Sequence, residues 1–154
     1  MISLDVWPHL PLLIKGGIFE MPVDNVIAEL EYSDRIRLID LEFYSTWQIE
    51  TLWTAMEVPF LELVTLYLSC GGLSPYVPEL PDSFLDGSAP RLRCFILNGI
   101  AFSGSPKVLL FATQLVSLWL TNIPHYGYIS PEAMVTYLSV LTSLEDLYFQ
   151  FKSP

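Results

Sequence analysis

Aromatic side chains at one recurring place are the residues of this chain best suited to a chemical task, and that task is non-covalent recognition. Tyr67, Trp119 and Tyr148 each stand just before the last member of an apolar trio spaced as LxxLxL. Tryptophan and tyrosine bury much area for little lost rotamer freedom and dominate the energetic centres of protein interfaces. Covalent chemistry is poorly supplied. His9 and His125 have no cysteine or carboxylate at ligand spacing, so no metal site is expected. No GxSxG elbow orients a serine nucleophile, and Gly71-Gly72 and Gly99 belong to no phosphate-cradling pattern. The acids Glu20, Glu29, Glu31, Asp82, Asp86, Glu132, Glu145 and Asp146 read as solvated faces and caps. No enzyme activity and no cofactor is expected.

The elements that must position those aromatics follow from the trio itself. It occurs at Ile36/Ile39/Leu41, Leu63/Leu66/Leu68, Leu92/Phe95/Leu97, Leu115/Leu118/Leu120 and Leu144/Leu147/Phe149, with first members 27, 29, 23 and 29 residues apart. Such a period matches a leucine-rich repeat, in which one short strand and one return segment form a unit that cannot bury its apolar face alone. The predicted fold is an α/β leucine-rich-repeat solenoid: a parallel sheet on the concave face, with short helices and irregular segments on the convex face. One domain spans 1–154, with strands near 36–42, 63–69, 92–98, 115–121 and 144–150. Trp7/Leu10/Leu12, 29 residues before Ile36, suggests a degenerate sixth unit near 7–14. Pro8 and Pro11 limit it to an edge strand.

The returns carry start and stop signals. Ser45 or Thr46 caps a helix with Ile49, Leu52, Trp53 and Met56 on one face, closed by Pro59. Ser105-Pro106 opens a short helix through Val108, Leu109 and Phe111, and Ser130-Pro131-Glu132 repeats the device ahead of Met134, Tyr137, Leu138 and Leu141. Asp24 is expected to cap a helix through Ile27 and Leu30. Between Gly71 and Pro90, prolines and glycines exclude a regular helix and leave room for one turn near Asp82 to Leu85.

Strand alternation places the intervening residues on the concave face. One column reads Asp40, Tyr67, Ile96, Trp119, Tyr148. Its neighbours read Leu38, Thr65, Cys94, Ser117, Asp146 and Glu42, Ser69, Asn98, Thr121, Gln150, with no lysine or arginine in the three. Asp40, Tyr67, Ile96, Trp119, Tyr148 and Asp146 are the candidate protein-binding residues. Two roles stay open for the aromatics: docking a protein, or packing on one another across strands to stabilise the sheet.

Composition sets limits on partners. Of 154 residues 52% are hydrophobic and 16% charged, the balance of a globular chain. Net charge is −10 and the seven basic residues are scattered along the sequence, so no nucleic-acid partner is expected. The uncharged stretch from Val108 to Pro131 is interrupted by polar residues and Pro124, and reads as a buried helix plus strand rather than a membrane span. Cys70 and Cys94 make no disulfide framework, although neighbouring strands could bring them close. With no basic region ahead of an apolar run near Met1, an intracellular protein, cytoplasmic or nuclear, is expected.

Three phrases resemble a known family: the run from Leu80-Pro81-Asp82-Ser83-Phe84 through Pro90-Arg91-Leu92-Arg93, then Leu97-Asn98-Gly99-Ile100, then Asn122-Ile123-Pro124-His125 with Gly127-Tyr128-Ile129-Ser130-Pro131-Glu132-Ala133-Met134. Together they look like the repeat region of fungal F-box proteins with leucine-rich repeats, over about residues 20 to 154. The resemblance implies the substrate-recognition repeats of an SCF-type ubiquitin ligase. Its Skp1-type adaptor would be engaged only if an F-box lies upstream, since none is found before these repeats. Ile100 and Ile123 stand where typical repeats carry asparagine, so the usual asparagine ladder is not expected. The alternatives are a truncated structural fragment with no autonomous function, or a scaffold or decoy that binds without recruiting a ligase.

Overall fold

A computed structural model describes residues 10–17, 22–71, 77–102, 107–124 and 129–151. The fold is mixed α/β, built on a six-stranded parallel sheet with short helices between strands. The strands are β1 (Leu12–Gly17), β2 (Ile36–Phe43), β3 (Thr65–Cys70), β5 (Cys94–Asn98), β7 (Ser117–Ile123) and β8 (Asp146–Phe151), laid side by side in the order of the chain. A small parallel pair, β4 (Glu79–Leu80) with β6 (Ala101–Phe102), lies apart from it. The helices are α1 (Val23–Leu30), α2 (Thr46–Trp53), α3 (Lys107–Phe111) and α4 (Pro131–Val140), with 3₁₀ turns at Thr54–Met56 and Phe84–Gly87.

The apolar trios dictate the register. Ile39, Leu66, Phe95, Leu118 and Leu147 pair in sequence across the sheet, and so do Leu41, Leu68, Leu97, Leu120 and Phe149. The first four trios are buried completely and form the spine of one core, to which α1 adds Val26 and Leu30 and α2 adds Ile49, Leu52 and Trp53. The fifth trio sits on the edge strand β8, where Leu147 remains 39% exposed and Leu144 and Phe149 are only partly covered.

Four expectations need correcting. The first strand is not centred on Trp7/Leu10/Leu12: Ile14 pairs with Ile39 and Gly16 with Leu41, and Leu10 is exposed. Trp7 and Pro8 lie outside the described residues. An irregularity between Leu12 and Leu13 lets this proline-flanked strand enter the ladder late. Second, Asp24 lies in the first turn of α1 rather than capping it, the cap being Pro22. A carboxylate there still faces the positive helix end. Third, Phe111 is exposed although Val108 and Leu109 are buried, because a five-residue helix turns one narrow face inward. Fourth, the turn expected near Asp82 falls at Phe84–Gly87, with Leu85 and Asp86 in left-handed conformation. Leu85 is fully buried there, so its side chain holds a backbone shape that L-residues otherwise avoid.

Ser45 and Ser130 behave differently as helix starts. Ser130 Oγ accepts from the Ala133 amide at 3.1 Å, with Pro131 at the first helical position. Ser45 is the cap of α2 without such a bond. The Ser105-Pro106 signal ahead of α3 lies outside the described residues.

Two predictions follow from tight spots in the core. Gly99 has φ +72°, and a Cβ there would clash with the Cys70 carbonyl oxygen. Gly99→Ala should lose about 2 kcal/mol or more in urea unfolding, while Gly71→Ala, with nothing within 4 Å, should be neutral or gain up to about 1 kcal/mol. The hydroxyl of Tyr137 is buried without a hydrogen-bond partner among the described residues, so Tyr137→Phe should raise stability by about 1 kcal/mol, read in the same unfolding experiment.

Candidate functional site

Parallel pairing turns the residues between trio members into straight files across the exposed side of the sheet. Asp40, Tyr67, Ile96, Trp119 and Tyr148 are direct neighbours on consecutive strands. The whole expected file is therefore brought together. The corrected register of β1 adds Lys15 beside Asp40, a residue the sequence reading missed because it set the strand on Leu10 and Leu12. Asp40, Tyr67 and Ile96 are half-buried among their neighbours, whereas Trp119 is 38% and Tyr148 45% exposed.

Trp119 and Tyr148 touch. Their ring centroids are 5.5 Å apart with planes inclined at 40°, within the range of favourable aromatic pairs. The indole Nε1–H donates to Asp146 Oδ2 at 2.8 Å. Asp146 stands in the adjoining file, Leu38–Thr65–Cys94–Ser117–Asp146, so one side chain from that file pins the orientation of the tryptophan. The charge assists the hydrogen bond.

The third file is a polar ladder. Asn98 Nδ2 donates to Ser69 Oγ at 3.0 Å, while Thr121 Oγ1 and Asn122 Nδ2 donate to Asn98 Oδ1 at 2.9 and 2.6 Å. Asn122 has φ 51°, and between Leu120 and Ile123 the β7–β8 register shifts by one residue. That bulge carries Asn122 to the ladder and takes Gln150 out of the regular file. Ile100 and Ile123, at the places usual for asparagine, are buried in the core instead.

Charge is sorted across the sheet. Arg35 directly precedes β2 and Arg37 is its second residue, while Arg91 and Arg93 lie within three residues of the start of β5, so four of the seven basic residues gather on the rim where strands start. Along that rim the Val64 amide donates to the Arg37 carbonyl, and the Arg93 amide to the Val64 carbonyl. These arginines are scattered in sequence and neighbours in space. Arg91 pairs with Glu62 at 2.6 Å, and the Arg35 guanidinium lies 5.9 Å from the Tyr32 ring centre. The exposed face beyond the rim bears Asp40, Glu42 and Asp146, with Lys15 on the far strand.

Cys94 feels this field. Burial first, and the Asp146 carboxylate second, hold its thiol above the ordinary value of 9.0. The two cysteines do not approach one another: Cys94 pairs with Thr65, five residues along β3 from Cys70, a separation of about 16 Å. His9 and His125 lie outside the described residues. Among the described residues no cluster of histidine, cysteine and acid is arranged to hold a metal ion, and no helix is long and apolar enough to cross a membrane. No family model, curated protein or solved structure matches the chain.

The thiol supplies a prediction. In a Cys70→Ser background, alkylation of Cys94 by iodoacetamide should rise with a midpoint above pH 9.0. A nearby negative charge disfavours the thiolate, so Asp146→Asn should move that midpoint down without restoring it fully, since burial persists. An unchanged midpoint would place the carboxylate's field elsewhere.

Proposed function

We propose that this chain is a leucine-rich-repeat solenoid whose exposed sheet face docks a protein partner through Tyr67, Trp119 and Tyr148. Support comes from the recurrent trios, from strands added in chain order, and from described return residues such as Ile49, Leu52, Leu109 and Tyr137 that join the trios in one core. The observation that carries the docking role is the half-exposed Trp119–Tyr148 pair beside Asp146. Packing between the two rings stabilises the sheet by about 0.5–1.5 kcal/mol, yet it leaves a large part of both rings in water. Large aromatics held rigid and left exposed are the common anchors of interfaces.

By resemblance, the reading extends to substrate-recognition repeats like those of F-box proteins, with the partner being the protein to be marked. Adaptor binding is assigned to no residue here. Among described elements one observation favours a different reading, in which the chain works as part of a larger stack. The β8 edge leaves Leu147 and Phe151 exposed, and α4 beside it leaves Val135 and Leu138 exposed. Such an edge is ready to receive another strand.

The double variant Trp119→Ala/Tyr148→Ala tests the docking face. Because both side chains project from the exposed face, the variant should unfold cooperatively within a few degrees of the wild type. Affinity for a partner captured by the wild type should fall at least about 30-fold, the loss of a hot-spot pair. Equal capture by both proteins removes the assignment.

A further inference from the structure

We propose that Trp119, Tyr148 and Asp146 form a subsite for a cationic side chain, so that the partner of this face is a basic peptide segment presenting arginine or lysine. The proposal rests on the docking-face reading and adds the chemistry of the occupant.

Three features of the site converge on a cation. The two rings are inclined at 40° with centroids 5.5 Å apart, a wedge rather than a closed stack, so ring surface remains open to a third planar or compact group. A guanidinium or ammonium within about 6 Å of such a ring is attracted by its negative face, most strongly by tryptophan. The indole N–H is spent on Asp146. Donation to a carboxylate pushes electron density into the ring and strengthens its hold on positive charge. The same bond engages Oδ2 and leaves Oδ1 of Asp146 as an acceptor at the ring edge, where a guanidinium lying on the indole can also reach it.

The surroundings select sign. Asp146 has no ion-pair partner among the described residues, where Arg91 pairs with Glu62. Lys15, the cation in the same file, is four strands away from Trp119, a distance of about 19 Å. Asp40 and Glu42 extend the negative character toward β2, and the arginine nearest along this border, Arg93, stands two strands from Asp146, about 10 Å between backbones. The raised Cys94 thiol agrees with a carboxylate whose charge is not neutralised locally. An acidic segment would meet repulsion at Asp146, and a purely apolar one would bury that carboxylate with the indole N–H as partner and no counter-charge.

The test uses the full chain, ¹⁵N-labelled, with the Trp119 indole resonance assigned through Trp119→Phe. Capped tripeptides Gly-Arg-Gly, Gly-Lys-Gly, Gly-Leu-Gly and Gly-Glu-Gly are titrated separately. The arginine and lysine peptides should shift the Trp119 resonance saturably in the millimolar range, less at high salt, and Asp146→Asn should weaken the arginine peptide about fivefold or more. Equal shifts with the glutamate or leucine peptide, or no change on Asp146→Asn, overturns the cation subsite. A resonance that moves with protein concentration alone points to a second copy as occupant and overturns the peptide assignment. Loss of partner capture in Trp119→Ala/Tyr148→Ala without any cation response sinks the subsite and leaves the docking face standing. A cation response with undiminished capture does the reverse.

Discussion

Burial of the LxxLxL trios against one another, strand beside parallel strand, is the constraint on which the other features depend. A strand has a side-chain period of two, so once Ile39, Leu66, Phe95 and Leu118 are fixed inward, the residues before and after them have no freedom to face elsewhere. A slip of one residue in any of these strands would turn its inward apolar side chains to water and their polar neighbours to the core. The files on the open face are therefore by-products of the core, held to strand spacing without any need to attract one another. That is why a half-exposed Trp119 can be placed beside Tyr148 so reproducibly, and why Asp146 from the next file meets the indole at 2.8 Å.

The same rigidity explains the polar ladder. Ser69, Asn98 and Thr121 are one strand apart and close enough for amide and hydroxyl groups to bond in series. Ser69 is buried by this arrangement, and the hydrogen bond from Asn98 offsets its lost hydration. Asn122 joins only because β7 takes one extra residue before Ile123 returns to the core. Asparagine tolerates the left-handed backbone that the bulge demands better than a branched residue would.

Legibility in the sequence tracked how much of each feature is local. The trios state strand positions directly, and five strands lie where their spacing put them to within two residues. The Ser130-Pro131 start was equally plain, because cap and proline act on their own helix. Lys15 was missed because prolines before β1 offered a false trio, and only pairing with β2 reveals that Gly16 takes a place held elsewhere by leucine. The arginine rim was missed for another reason. Arg37 and Arg93 are far apart in sequence, and their proximity depends on counting back from the trio in each unit to the same strand-start position. Leu85 and Asp86 had no signal at all, since neither residue type announces a left-handed turn.

Both roles open to the aromatic file are consistent with its exposure. In the interior of a wider sheet, burial would be even along such a file. Exposure instead rises toward β7 and β8, where the tryptophan and the last tyrosine keep over a third of their surface. The carboxylate on that side is committed to orienting the indole. A side chain ordered by a charged partner, and then left wet, has given up rotamer freedom without the full return of burial. Any group that covered the pair would complete that burial with the ordering cost already met.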